Sequence, residues 1–280
     1  MIPSRTIDYL QSRPRFALVD YSGPWMATPF SASGGLSAVA KFPLLITASG
    51  QIEPWYQVIT SLKALNPSIV ILGYIDPARI PDASQANAPW APAFNALTSS
   101  SILTVNGTQL LYPGSTVSYL YDFRNGSWRD AFLSAADAVF ATYPLDGLFI
   151  DNGSLYAVNA AGAPVAQLQE LNRALGNVIG DIRENYPTKL IMLNAWSDPA
   201  LGIDQHFAGL NGTMWEADHD TTPSQMQPFN SGLESPAISL WVDNNASLTT
   251  SIVESDIAAA SAGGFYYCAD YTQTWPQFGL

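Results

Sequence analysis

Carboxylates, amides and aromatic rings stand where the short apolar runs of this sequence come to an end. Asp20 and Tyr21, Tyr74 and Asp76, Asp151 and Asn152, Asn194 and Trp196, Trp215 and Glu216, Trp241 and Asp243, and Asp270 and Tyr271 occupy such positions. Carboxyl groups can hold or release protons and attack electron-poor carbon, and with amides they grip hydroxyl groups. Indole and phenol rings add flat apolar faces that suit sugar C–H surfaces. A single Asp or Asn at the end of a run is an ordinary turn or helix cap. Its recurrence along the chain points instead to one cavity lined for hydroxyl-rich ligands.

These residues meet only if the runs are parallel strands whose carboxyl ends open on a common rim. Eight runs rich in Val, Ile, Leu, Phe and Tyr, at 16–21, 43–48, 69–75, 147–151, 190–195, 213–217, 238–243 and 264–270, read as strands buried on both faces. Between them, 53–65, 128–142, 165–185 and 248–262 carry the i, i+3, i+4 apolar spacing of helices. Asn66-Pro67, Tyr143-Pro144 and Tyr186-Pro187 stop three of these helices. The alternation predicts a single α/β domain over 1–280, a (β/α)8 TIM barrel with degenerate helices after the fifth and sixth strands and a degenerate last helix. Residues 7–11 are expected to cover its bottom or flank. Residues 76–126 read as a long βα loop inserted after strand three, with 117–123 in an added hairpin or, alternatively, as a ninth strand of the sheet.

Composition narrows the partners. The net charge of -12, from 23 acidic and 11 basic residues, repels phosphate backbones, so no nucleic acid is expected. No uninterrupted apolar run of about 18 residues is present, so no membrane span is expected. Cys268 alone forms no intramolecular disulfide, and His206 and His219 are too few for a His-rich metal centre. The chain has no Gly-rich phosphate loop, no His-Glu-x-x-His and no Gly-x-Ser-x-Gly, and neither cofactor nor metal is expected. Glu216, Asp218 and Asp220 lack the spacing and glycine of a calcium loop. The N-terminal residues carry no signal-peptide pattern. A surface low in charge and rich in Ser, Thr, Asn and Gln fits an extracellular or virion-associated setting better than a cytoplasmic one.

The strongest local signal is Leu145-Asp146-Gly147-Leu148-Phe149-Ile150-Asp151-Asn152, in which Asp146-Gly147 turns into a buried strand and Asp151 emerges at its far end. With Tyr121-Asp122-Phe123-Arg124-Asn125 and Trp128-Arg129-Asp130 before it, this segment resembles the endo-α-1,4-polygalactosaminidase-like and related bacterial barrel glycoside hydrolase families. The likeness is best over 119–216. It implies a barrel in which Asp151 is the first catalytic carboxylate and Glu216, in Met214-Trp215-Glu216, its partner. Asn194, in Leu193-Asn194-Ala195, looks like the families' amide on the intervening strand. The long insert after Asp76-Pro77 departs from the pattern, so subsites formed by that loop do not carry over.

Cleaving a glycosidic bond requires one acid to protonate the leaving oxygen and one carboxylate to attack the anomeric carbon or activate water. Asp151 is therefore expected as nucleophile and Glu216 as general acid/base, with Asp243 the rival for the second role and an inverting use of Glu216 as base left open. Asp20, Tyr21, Tyr74, Asp76, Asp122, Asn152, Asn194, Trp196, Trp215, Trp241, Asp243, Asp270 and Tyr271 are expected to bind substrate. The predicted activity is hydrolysis of a poly- or oligosaccharide such as a bacterial exopolysaccharide or cell-surface glycan. The alternative is a non-catalytic glycan-binding barrel, such as a phage-tail receptor-binding or decorating module with virion or tail proteins as partners. An aldolase-like barrel would need a lysine on the rim, whereas Lys41, Lys63 and Lys189 lie at helix or strand starts.

Overall fold

The structure, a computed structural model, describes residues 2–12, 15, 17–19, 36–47, 52–81, 88–151, 155–195, 197–217, 224, 230, 232–243 and 249–269. Its centre is a curled parallel sheet. In chain order its strands are β1 (Ala17–Val19), β2 (Leu44–Ile46) and β3 (Val70–Ile75), then, after a two-stranded hairpin β4 (Thr104–Val105) and β5 (Thr108–Gln109), β6 (Gly147–Ile150), β7 (Leu190–Asn194), β8 (Gly212–Ala217), β9 (Leu240–Asp243) and β10 (Tyr266–Ala269). The hydrogen-bonded order is β1-β2-β3-β6-β7-β8-β9-β10, and each neighbouring pair is parallel. Each of the eight predicted runs contains or overlaps one of these eight strands, and among the described residues the bounds differ by no more than two positions at either end. β1 and β10 lie in contact, and the Tyr267 N–H donates to the Arg15 carbonyl at 2.9 Å.

The described helices are α1 (Ser4–Ser12), α2 (Leu36–Val39), α3 (Ile52–Leu65), α4 (Ala91–Asn95), α5 (Gly126–Thr142), α6 (Tyr156–Ala160), α7 (Val165–Asn185) and α8 (Thr250–Gly263). Local chemistry sets several of their ends. The Asn125 side chain accepts from the Ser127 N–H at the start of α5, and Thr249 does the same for Ile252 at the start of α8. Gly264, at φ 82°, ends α8 in the left-handed conformation and releases the chain into β10. On α7 the residues Leu168, Leu171, Leu175, Val178, Ile179 and Ile182 form the buried stripe that the spacing predicts. α1 braces the flank of the sheet, since Leu10 is buried and its carbonyl accepts from the Tyr266 hydroxyl at 3.0 Å.

The insert is a small module docked on α5. Its hairpin turns at Asn106 and Gly107, both with positive φ, as an Asn-Gly turn between two strands requires. Residues 117–123 do not join the main sheet. They bridge antiparallel to other parts of the insert, through Leu111 with Tyr119, Ile102 with Tyr121 and Arg79 with Leu120. α4 packs on α5, with Phe94 stacked on Tyr121 and tilted against Phe132, and the Trp128 indole N–H donates to the Pro77 carbonyl at 2.7 Å.

Register and close approach decide which face each strand residue presents. A Cβ at Gly73 would lie 2.9 Å from Val139 Cγ1 of α5 and 2.5 Å from Leu145 Cδ1, so this position faces the helix layer. Tyr74 must then face the other way, into the curl of the sheet. At Gly147 a Cβ would lie 2.1 Å from the Leu190 carbonyl oxygen, which explains why glycine opens β6.

Three buried phenols tie the fold to pH. Burial pushes Tyr266 up to about 12 and drives Tyr121 and Tyr267 further up, the last helped by Asp243 and Asp256. The folded chain therefore keeps protons that the unfolded chain releases above about pH 10. The share that Tyr266 contributes is complete below pH 10 and is lost as pH rises through about 12. Urea unfolding across that window is expected to show a falling unfolding free energy, with a shallower fall in Tyr266→Phe.

Candidate functional site

At the end of β6, Asp151 leaves the strand with its N–H bonded to the Ile75 carbonyl at 2.8 Å. The residue is only 8% exposed. The Tyr74 hydroxyl donates to Asp151 Oδ2 at 2.6 Å, and Asn194 Nδ2 donates to Oδ1 at 2.9 Å. Three adjacent strands therefore meet on one carboxylate. Register explains the meeting, because Tyr74 pairs with Phe149 and Ile150 with Leu193, which carries Tyr74, Asp151 and Asn194 to one face.

The Tyr74 side chain is itself held. Its ring lies against Phe149 with centroids 6.0 Å apart, and its N–H donates to the buried Thr47 hydroxyl at 3.2 Å. The backbone of Glu216 lies in β8, paired with Val242. Since Asn194 pairs with Met214, strand alternation places position 216 on the face that carries positions 194 and 151.

Alternation sends other expected site residues to the opposite face. Trp215 pairs with Trp241 and Trp241 with Tyr267, while Asp243 follows two residues beyond Trp241. Trp241 is completely buried, its ring edge-on to Tyr267 at 5.2 Å, and Trp215 lies edge-on to Phe265 at 6.4 Å. The Tyr267 hydroxyl donates to Asp243 Oδ2 at 3.2 Å and lies 3.5 Å from Asp256 Oδ2 on α8. Asp243 is therefore engaged between sheet and helix, on the far side of the sheet from Asp151. The buried Asp256 escapes a sequence reading because one carboxylate in a helix resembles a solvated face.

Two more acids are occupied elsewhere. Asp76, 0% exposed, accepts from Arg79 Nε at 2.8 Å and from the Ala78 N–H at 3.3 Å, and the Arg79 guanidinium lies 4.8 Å from the Tyr112 ring centroid. It fastens the root of the insert. Asp122 is gripped by Arg124 through Nε at 2.8 Å and Nη2 at 2.7 Å, and Arg124 reaches Glu170 of α7 at 2.6 Å. The hydrogen bonds to Asp122 hold the Arg124 guanidinium well above its ordinary range. Asp20, Tyr21, Asn152, Trp196, Asp270 and Tyr271 lie outside the described residues.

Lysine chemistry has no foothold near Asp151 among the described residues. Lys63 binds Asp146 at 2.6 Å and Lys189 binds the Leu145 carbonyl at 2.6 Å, both at the opposite end of β6. Among the described residues no group of three His, Cys, Asp or Glu side chains is arranged to hold a metal ion, and no helix is long and apolar enough to cross a membrane.

No family model matches the sequence, and no curated protein matches it. Solved structures do. The glycoside hydrolase domain of PelA from Pseudomonas aeruginosa aligns over 92% of this chain and 95% of its own, with TM-score 0.60 and 13% identity. Aspergillus fumigatus Ega3, in complex with galactosamine, aligns over 92% and 91%, with TM-score 0.53 and 12% identity. The GH36 α-galactosidase AgaB from Geobacillus stearothermophilus aligns over 94% of this chain but 40% of its own, with TM-score 0.53 and 14% identity. At these identities the likeness is one of fold, and the chain has the fold of a glycoside hydrolase domain.

The Asp76 and Arg79 pair yields a stability test. Removing a partner from a buried ion pair costs about 3–5 kcal/mol, and residual exposure of Arg79 places Asp76→Ala near the lower end. The variant is expected to lose about 3 kcal/mol in urea unfolding and to be cut by protease within 76–126 before the rest of the chain.

Proposed function

We propose that this chain is a glycoside hydrolase whose curled sheet closes as a (β/α)8 barrel and whose rim cleaves a poly- or oligosaccharide with Asp151 and Glu216. The observation that carries the reading is Asp151 itself, a nearly buried carboxylate at the carboxyl end of a mid-sheet strand, with a donor on each oxygen. Active sites of such barrels lie at that end of the strands. Contact between β1 and β10 supports closure, and the glycoside hydrolase domains of like fold support the reaction class.

In this reaction the Glu216 carboxyl gives its proton to the glycosidic oxygen while an Asp151 oxygen attacks the anomeric carbon. The bond to the leaving group breaks and a glycosyl ester forms. Glu216, now ionised, takes a proton from water, whose oxygen displaces Asp151 and restores both groups. Neither step requires a redox partner. An ester on Asp151 requires the two carboxyl groups to stand about 5–5.5 Å apart, against about 6.5–9.5 Å for direct attack by water. The presence of galactosamine in the Ega3 complex makes amino-sugar polymers the first substrates to try. A bacterial exopolysaccharide or cell-surface glycan is the substrate class proposed.

Release of reducing ends from a panel of bacterial polysaccharides, galactosamine-rich ones included, is the test. Asp151→Asn and Glu216→Gln are each expected to lower cleavage at least about a hundredfold, within the range that acid/base assistance contributes. Asp243→Asn, altered on the opposite face, is expected to keep cleavage and to lose stability. Cleavage that survives either of the first two changes would overturn the assignment. Binding without cleavage across the panel would make the chain a glycan-binding module.

A further inference from the structure

We infer that Tyr74 is a positioning residue for Asp151 and not a contact of the sugar. The inference rests on the reading of Asp151 as nucleophile. Tyr74 is 5% exposed, which leaves its ring little surface to offer a ligand. Its hydroxyl is committed to Asp151 Oδ2 by a bond of 2.6 Å, in the range of O–H donation to a charged oxygen. Phe149 and Thr47 fix the ring and backbone from either neighbouring strand, so the phenol arrives at Asp151 already oriented.

Asn194 supplies the second clamp, at 2.9 Å on Oδ1, from the strand beyond β6. Two donors on opposite oxygens fix rotation of the carboxylate about its last torsion. A carboxylate with four acceptor sites still keeps lone pairs for attack after accepting two hydrogen bonds. Aim is what the clamps provide, and misplacement of a reacting group by about 1 Å costs on the order of a hundredfold in rate. Tyr74 is the stronger clamp because its bond is shorter and its ring is buried in a close-packed core.

Positioning and substrate contact differ in kinetics. A lost contact to bound sugar raises KM and leaves kcat, whereas a lost clamp on the nucleophile lowers kcat and leaves KM. Tyr74→Phe keeps the ring and removes one hydroxyl. It is expected to lower kcat about 10- to 100-fold with KM within about twofold and with an unchanged circular dichroism spectrum. Asn194→Ala is expected to lower kcat by less. A raised KM at unchanged kcat in Tyr74→Phe, or no change in either, would overturn the inference.

A second measurement works without any substrate and separates this inference from the hydrolase reading. The Tyr74 hydroxyl proton is expected as a slowly exchanging downfield resonance in the proton NMR spectrum of the whole chain. It should vanish in Tyr74→Phe and move upfield in Asp151→Asn, where the acceptor is neutral. If wild type cleaves nothing but this pattern holds, the hydrolase reading fails and the clamp stands. If the resonance is absent or indifferent to Asp151→Asn, the clamp fails whatever the enzyme cleaves.

Discussion

The hydrogen-bond register of the parallel sheet is the constraint on which the rest depends. Each paired residue presents its side chain to the same face as its partner, and each step along a strand reverses that face. Between Tyr74 paired with Phe149, Ile150 with Leu193 and Asn194 with Met214, the ladder leaves no freedom about which residues share the interior. A slip of one residue in β6 would turn Asp151 toward the helices and bring Ile150 to the position between Tyr74 and Asn194. The ladder also explains why Trp241 and Asp243 sit in the sheet and helix layer although they end a strand as Asp151 nearly does.

The two ends of β6 show how one residue type serves two purposes. At its entry Asp146 accepts from Lys63 at 2.6 Å and from the Ile71 N–H at 2.8 Å, while Lys189 lies close enough for its charge to be felt. Burial pulls the Lys189 ammonium below the ordinary lysine range. Nearby, Arg183 binds the carbonyls of Gly209 and Lys189 and the Asn211 side chain, which in turn accepts from the Ile191 N–H. Cations and carbonyls thus lock the entry end together. At the exit end Asp151 accepts instead from a phenol and an amide, neutral donors that orient its carboxyl group.

The insert follows the same division between anchoring and presentation. Its root is pinned by Asp76 and Arg79 and by the Trp128 bond to Pro77, and its aromatic residues form a core with α5. Gln167 of α7 reaches the Thr104 carbonyl at 3.0 Å, tying the hairpin to that helix as well. The described part of the insert is thus fastened at several points, and the first turns of α5 supply much of its docking surface.

Periodicity and punctuation locate the eight sheet strands and the helices α3, α5, α7 and α8, whereas α2, α4 and α6 are too short to show a helical period. Unbroken apolar runs leave few alternatives to buried parallel strands, and the i, i+3, i+4 stripe of α7 and the Pro stops after Asn66, Tyr143 and Tyr186 are local signals read from adjacent residues. Asp151 and Asn194 were legible as polar strand ends on one rim, but the bond between them was not. Asn106-Gly107 is a hairpin signal in the sequence, but the more apolar 117–123 draws the expectation of a hairpin strand away from it. What the sequence by itself determined was therefore the order of elements and the supply of carboxylates at strand ends. Only the tertiary structure decided which acid faces the curl of the sheet between a phenol and an amide and which are taken up in anchoring contacts, because face and partner depend on contacts between segments distant in the chain, and Asp76, Asp122, Asp151 and Asp243 are chemically alike until those contacts are set.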